Sequence, residues 1–183
     1  MFDRFFPDAY VASTYVIDFE KLYEEGIRAV IFDIDNTLVA YDEECPNQDI
    51  DNTLVPHGAP ADDRAKALFA RLKKIGYQCC LISNNQEPRV KMFNQDIQVN
   101  YICDAHKPST KNYKKAMEIM GTDVSNTVFV GDQLFTDVWG AKRAGIRNIL
   151  VKPIHPKEEI QIVLKRYLEK IVLYFYQKER KGR

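Results

Sequence analysis

The chain has 183 residues, and its 26 Lys and Arg are balanced by 26 Asp and Glu, so the formal net charge is zero. This balance excludes a strong overall attraction to nucleic acid, and 45% hydrophobic residues are ordinary for a globular protein. The length predicts one domain over residues 1–183 with a buried core. No leader pattern and no run of roughly 18 apolar residues is present, so we expect a cytoplasmic protein.

Short apolar runs alternate with helical patterns through most of the chain. Apolar runs predict five strands, at residues 28–32, 77–82, 99–103, 127–130 and 148–151. Helical spacing predicts helices at 62–75, 88–95, 113–120 and 134–144. The alternation predicts an α/β fold, doubly wound and Rossmann-like, with a mostly parallel five-stranded sheet and helices on both faces. Ligands of such sheets bind beyond the carboxyl ends of the strands.

Two aspartates follow the first predicted strand, in the segment Asp33-Ile-Asp35-Asn-Thr37-Leu-Val39. In an extended chain they point to the same side, and two carboxylates that close require a cation or a proton between them. Asp33 can attack phosphorus as a covalent nucleophile, and Asp35 can exchange a proton with the leaving oxygen and with water. Taken alone, the pattern also fits a surface turn. An EF-hand loop is disfavoured because Leu38 stands where that loop needs Gly.

Polar residues also follow the second and third predicted strands. Ser83 and Asn84 come after the second strand, where a hydroxyl and backbone N–H groups can bind a phosphate or simply cap a helix. Lys107 opens the helix after the third strand. A cation there repels the helix dipole, and a bound anion would explain its position.

The fourth predicted strand is followed by Gly131, Asp132 and, one helical turn later, Asp137. Asp132 can share a cation with Asp33, and hard oxygen ligands suit Mg²⁺. Asp137 can be a further ligand or can orient one. Alternatively, it is a first-turn acid that complements the helix dipole.

The order D-x-D-x-T, Ser, Lys, GD-x-x-x-TD, with each motif after its own strand, resembles the haloacid dehalogenase superfamily of phosphohydrolases over about residues 27–153. The resemblance implies that Asp33 is the nucleophile and Asp35 the general acid and base. It implies phosphate binding by Ser83, Asn84 and Lys107, and Mg²⁺ binding by Asp33, Asp35, Asp132 and Asp137.

The segments Ser83-Asn84-Asn85 and Lys107-Pro108, with the last motif, look similar to one branch of this superfamily. That branch is the capless subclass IIIA phosphatases of YqeG type, which are similar to phosphatidylglycerophosphate phosphatases. The resemblance implies phosphatidylglycerophosphate as substrate and a role in phospholipid metabolism. Two alternatives stay open: a phosphatase for a soluble sugar, nucleotide or protein phosphate, and a catalytically silent interaction module.

The heptapeptide DIDNTLV occurs twice, at residues 33–39 and 49–55, which indicates a local duplication in a loop of about residues 40–60. Only the first copy follows a predicted strand. A nucleophile needs a rigid support, so we assign the chemistry to Asp33 and Asp35. The second copy stays an alternative because it runs directly into the next helix.

A C-terminal amphipathic and basic helix is predicted at about residues 156–183. Its apolar positions are Ile160, Val163, Leu164, Tyr167, Leu168 and Ile171. One interpretation packs this face on the sheet and leaves a solvated basic end. The other is a peripheral contact with the inner membrane surface, because aromatic side chains beside Lys and Arg suit an anionic interface.

Overall fold

A computed structural model of the protein describes residues 3–38, 60–154 and 160–181. Its sheet is formed by β1 (Ala9–Val11), β2 (Ala29–Phe32), β3 (Gln78–Ile82), β4 (Asn100–Ile102), β5 (Thr127–Gly131) and β6 (Arg147–Val151). All neighbouring pairs are parallel, in the order β1-β6-β5-β2-β3-β4. The expected fold class is confirmed, with six strands instead of five. The unpredicted β1 has three half-buried residues at the sheet edge, too few to give a periodic signal.

The helices are α1 (Phe19–Glu24), α2 (Asp63–Ile75), α3 (Glu87–Asn94), α4 (Thr110–Met120), α5 (Trp139–Ala144) and α6 (Ile160–Lys181). A π-helical turn (Leu134–Val138) leads directly into α5, so the predicted helix at 134–144 has two parts. Gly76 and Gly121 end α2 and α4 with φ of 110° and 66°. Glycine adopts this left-handed geometry without a steric penalty, which is why both stops could be predicted.

The sheet is covered by helices on both faces. Val30 and Phe32 of β2 pack in a cluster with side chains of α1, α2 and α3, whereas Ala29 and Ile31 pack with α4 and α5. This alternation follows from the two-residue period of a strand. All four of these β2 side chains are fully buried. The strand that precedes Asp33 is therefore the rigid centre of the molecule.

Helix α6 packs on the π-helical turn through a face that the apolar pattern did not indicate. Val172 lies in a cluster with Leu134, Val138 and Leu150. Tyr167, Leu168 and Ile171, expected on the packed face, are 63%, 53% and 51% exposed. Sheet packing is therefore the wrong interpretation for these three residues; the side chains of residues 160–164 lie outside the described residues. Among the described helices, none combines the length and apolar character that crossing a membrane requires.

Candidate active site

The predicted site residues converge at the carboxyl ends of β2, β3 and β5, which are adjacent in the sheet. Asp33 and Asp35 follow β2, Ser83 and Asn84 follow β3, and Asp132 follows β5. Lys107 reaches the same place from the segment between β4 and α4. The buried members are Asp33, Ser83, Lys107, Asp132 and Asp137. So many buried polar side chains in one place require partners, and their contacts define the site.

Lys107 is the central cation. Its Nζ lies 2.5 Å from Oδ1 of Asp33 and 2.7 Å from Oδ1 of Asp137. Burial by itself would lower the pKa of Lys107, but Asp137 and Asp33 together raise it above its ordinary value. Lys107 therefore keeps its charge at neutral pH and withdraws electron density from one oxygen of Asp33.

The other oxygen of Asp33 faces Asp132. The Thr37 hydroxyl lies 3.2 Å from Oδ2 of Asp33 and 3.3 Å from Oδ1 of Asp132. One carboxylate oxygen from each of Asp33, Asp132 and Asp137 lies within 4.8 Å of the others. Burial raises the pKa of Asp132 well above its usual value, although Arg166 opposes the shift. Buried carboxylate oxygens this close fit a hard divalent cation such as Mg²⁺.

Both carboxylate oxygens of Asp137 have hydrogen-bond or ion-pair partners within the protein. Its Oδ2 accepts hydrogen bonds from the backbone N–H groups of Asp132 and Gln133, each at 3.1 Å, while Oδ1 pairs with Lys107. A Cβ atom on Gly131 would lie 2.6 Å from Cγ of Asp137, so this close approach requires glycine. In this arrangement Asp137 orients Lys107 and the backbone of Asp132.

Asp35 lies beside this group, with its carboxylate already paired. Oδ2 accepts a hydrogen bond from Nδ2 of Asn85 at 2.6 Å, and Oδ1 pairs with Nη2 of Arg89 at 2.7 Å. Its carboxylate is not part of the three-carboxylate cluster found among the described residues. Any contribution of Asp35 to a metal would therefore come from its main chain.

Arg89 was not predicted as a site residue. Its side chain is fully buried, and its Nε and Nη1 have no hydrogen-bond partner among the residues that the structure describes. The sequence carries a signal for it, because Arg89 shares the buried face of α3 with Val90 and Phe93. A charged residue on the apolar face of a helix indicates a specific partner.

Asn84 and Ser83 organise the loop after β3. Oδ1 of Asn84 accepts a hydrogen bond from the backbone N–H of Lys107 at 2.7 Å, so this amide fixes the segment that carries the lysine. The hydroxyl oxygen of Ser83 accepts from the backbone N–H of Asn85 at 3.1 Å. Ser83 is thus placed at the site, while the side chain of Asn84 holds its frame.

Two further unpredicted residues come from α6. Nη1 of Arg166 donates to the main-chain oxygen of Asp132 at 2.7 Å, and its Nη2 forms an ion pair with Oδ2 of Asp132. Glu169 pairs with Arg166 at 2.8 Å and accepts the backbone N–H of Leu134 at 2.6 Å. Both charges share a face of α6 with the buried Val172, and the apolar pattern of the sequence did not indicate this face.

Comparison with known proteins identifies the family of this chain. The model of the haloacid dehalogenase-like hydrolases matches residues 47–145. The probable phosphatase YqeG of Bacillus subtilis is 33% identical over 174 residues, covering 94% of this chain and 92% of YqeG. The chain belongs to the haloacid dehalogenase-like hydrolases. Its YqeG-type resemblance and its expected enzyme class, a phosphatase of this superfamily, are confirmed.

More distant relatives and solved structures extend the comparison. The phosphatidylglycerophosphate phosphatase 1 of Arabidopsis thaliana is 27% identical over 182 residues, covering 90% of this chain and 48% of that protein. The 3-deoxy-D-manno-octulosonate 8-phosphate phosphatase of Moraxella catarrhalis, solved with magnesium and phosphate, is 16% identical with a TM-score of 0.54, covering 74% of this chain and 75% of that one. At 16% identity, the match to the Moraxella catarrhalis structure shows the fold alone.

The sequence match and the geometry favour different copies of the duplicated heptapeptide. The family match begins at residue 47 and so includes the second copy but not Asp33. A single motif can align with only one copy, and the second copy is the nearer one to α2 in sequence. The structure joins the first copy to β2, with Asp33 in contact with Lys107. The second copy lies outside the described residues.

Proposed function

We propose that the protein hydrolyses phosphomonoesters through an aspartyl-phosphate on Asp33, with residues 1–183 as one domain without a large cap. The observation that carries this proposal is the environment of Asp33. One of its oxygens pairs with Lys107, and the other faces Thr37 and Asp132 at the end of a rigid strand. A buried carboxylate held between a cation and a second carboxylate is poised to act on an anionic substrate in the presence of a metal.

In the first step a carboxylate oxygen of Asp33 attacks phosphorus, and the bond from phosphorus to the leaving oxygen breaks. Asp35 is the general acid that gives a proton to that oxygen. In the second step Asp35 takes a proton from water, whose oxygen attacks phosphorus and releases inorganic phosphate and the Asp33 carboxylate. Mg²⁺ would be held by Asp33, Asp132 and the main chain of Asp35, and it would offset negative charge on the phosphoryl oxygens.

Lys107 and Ser83 are the residues that would bind the substrate phosphate. Lys107 would contact a phosphoryl oxygen while Asp137 keeps the ammonium in position. Ser83 is buried at the end of β3, and its hydroxyl can donate to a phosphoryl oxygen while its oxygen accepts from the backbone N–H of Asn85. Asn84 supports this pair by fixing the main chain of Lys107. The same groups would stabilise the extra charge of the transition state.

For the substrate we propose phosphatidylglycerophosphate, in phospholipid biosynthesis. This is supported by the name of the Arabidopsis relative, which is 27% identical to this chain. A soluble phosphate ester is the second candidate, because a relative from Pyrococcus abyssi, 25% identical over 97 residues, is named glyceraldehyde 3-phosphate phosphatase.

A phosphatase screen with matched substrates tests the proposal. We expect Mg²⁺-dependent release of phosphate from phosphatidylglycerophosphate in detergent micelles, faster than from glycerol phosphate, sugar phosphates, nucleotides or a phosphopeptide. Preference for a water-soluble ester would replace the lipid substrate but keep the chemistry. Inactivity on every ester, or full activity in excess chelator, would contradict the proposed mechanism.

The exposed face of α6 suits a peripheral position at the inner surface of a membrane. Tyr167, Leu168, Ile171 and Phe175 are 63%, 53%, 51% and 42% exposed. They lie along one side of the helix, among exposed basic residues that include Lys170. Exposed aromatic and aliphatic groups beside cations match an anionic lipid interface, where each cation contributes about 1 kcal/mol. We propose a cytoplasmic protein that docks on such a surface through α6.

The double variant Leu168→Ser/Ile171→Ser tests this docking. We expect weaker sedimentation with anionic vesicles and slower turnover of a vesicle-embedded substrate, because the apolar contact is lost. Activity on a small water-soluble ester should not change, since neither residue touches the site. Ile119→Ser on α4 is the matched control, because Ile119 is 45% exposed elsewhere on the molecule. Absence of vesicle binding by the unaltered protein at low salt would refute the proposal.

A further inference from the structure

The C-terminal helix reaches the centre of the candidate active site. Arg166 contacts Asp132 twice, once at the main-chain oxygen and once at Oδ2 of the carboxylate. Glu169 completes the arrangement by joining Arg166 to the backbone N–H of Leu134. The contacts of α6 with Asp132 and Leu134 join residues more than 30 positions apart in the sequence. Arg166 binds both the backbone and the side chain of Asp132.

The two oxygens of Asp132 have different partners. Oδ2 is paired with Arg166, while Oδ1 lies 3.3 Å from the Thr37 hydroxyl, which is itself 3.2 Å from Oδ2 of Asp33. Because Arg166 also holds the main-chain oxygen of Asp132, this residue is fixed at two points, one on its backbone and one on its carboxylate. Rotation of its side chain is therefore restricted, and Oδ1 is directed toward Asp33.

The burial of these groups makes the contacts consequential. The side chains of Asp132, Glu169 and Arg166 are 0%, 6% and 15% exposed. A bidentate, desolvated guanidinium contact fixes geometry better than a surface ion pair does. Val172 and Tyr176 already attach α6 to the rest of the protein through buried side chains. Attachment of the helix therefore does not require charged groups next to Asp132.

We propose that Arg166, buttressed by Glu169, is a positioning residue that presents Oδ1 of Asp132 to the metal. The inference rests on the proposed function, because it assumes that Asp132 binds Mg²⁺. One side of α6 is then part of the active site, and another side is the exposed face proposed to dock on a membrane. Partners that orient a metal ligand typically change metal affinity by about 10- to 100-fold when removed.

The sign of the effect separates positioning from simple charge. Removing a cation next to Asp132 would by Coulomb attraction alone tighten the binding of Mg²⁺. Loss of positioning weakens it. Direct titration of Mg²⁺ by calorimetry, without substrate, therefore tests the inference independently of turnover.

We expect Arg166→Met to bind Mg²⁺ roughly 10- to 100-fold more weakly than the unaltered chain. Arg166→Lys, which keeps the charge but loses the bidentate contact, should fall between the two. Val172→Ala is the matched control, because it weakens the packing of α6 without touching Asp132; it should lower the melting temperature and leave Mg²⁺ affinity within about twofold. Circular dichroism verifies that each variant is folded.

Unchanged or tighter Mg²⁺ binding by folded Arg166→Met would overturn the inference and leave the proposed function intact. An equal loss of affinity in Val172→Ala would also overturn it, since any loosening of α6 would then have the same effect. If Arg166→Met does not fold, Arg166→Lys and Glu169→Gln decide in the same way. An unaltered chain that binds no Mg²⁺ would instead refute the proposed function, and the inference with it.

Discussion

Replacement of Asp33 by Asn is expected to remove turnover, by roughly 10³-fold or more, while the fold is kept. An amide cannot form the acyl phosphate although it fills the same space. Lys107 loses one anionic partner, but Asp137 still holds it. Steady-state release of phosphate in saturating Mg²⁺ measures the effect, and circular dichroism establishes that the variant is folded.

Asp49→Asn is the matched control for this experiment, because Asp49 opens the second DIDNTLV copy. We expect its activity to stay within a few-fold of the unaltered protein, since the structure connects β2 to the first copy. If Asp33→Asn is active within tenfold of the unaltered protein, Asp33 is not the nucleophile. If Asp49→Asn alone abolishes activity, the second copy carries the chemistry, as the start of the family match at residue 47 would allow.

Replacement of Lys107 by Met is expected to abolish activity and to destabilise the protein by about 3–5 kcal/mol at neutral pH. The methionine fills much of the same volume but leaves Asp33 and Asp137 buried without their cation. Two unpaired carboxylates in a desolvated site repel each other and any phosphate. Urea denaturation measures the loss, with Lys111→Met as control because Lys111 is exposed on α4.

The loss of stability in Lys107→Met should depend on pH, and the direction of this dependence follows from Asp137. Burial already raises the pKa of Asp137, and Lys107 opposes that shift, so removing the lysine raises this pKa further. A carboxyl group whose pKa is higher in the folded than in the unfolded state loses stability as pH rises through the folded value. The variant should therefore regain part of its stability between neutral pH and about pH 4. A deficit that is constant over this range would contradict the account.

Much of the sheet could be predicted because its central strands are short, apolar and bounded by glycine or aspartate. One example is β2, whose four residues are all buried, together with the site residues that follow it. The strand β1 could not be predicted, since its pairing with β6 is decided by tertiary contact. The buried face of α6 was misassigned for a related reason. The helix offers its apolar Tyr167, Leu168 and Ile171 to solvent and buries Glu169, because the polar site lies beneath it.

The candidate site shows the same division. Spacing after the strands led to Asp33, Lys107 and Asp132, because each is supported by its own strand. Arg89 and Arg166 were not predicted as site residues because their partners lie 54 and 34 residues away in the sequence, and no local pattern encodes such pairs. For Arg89, a charge on the apolar side of a helix was the one available signal. It indicates that a partner exists without saying which.

The most direct test is to identify the aspartate that carries the phosphoryl group. Borohydride reduction of the protein quenched during turnover converts an aspartyl-phosphate to homoserine, which mass spectrometry can locate. Asp33 and Asp49 share one tryptic peptide, residues 29–64, but cleavage after Glu44 separates them. We predict homoserine at position 33 and unmodified aspartate at position 49. Homoserine at position 49, or at neither position while phosphate is being released, would contradict the assignment of Asp33 as the nucleophile.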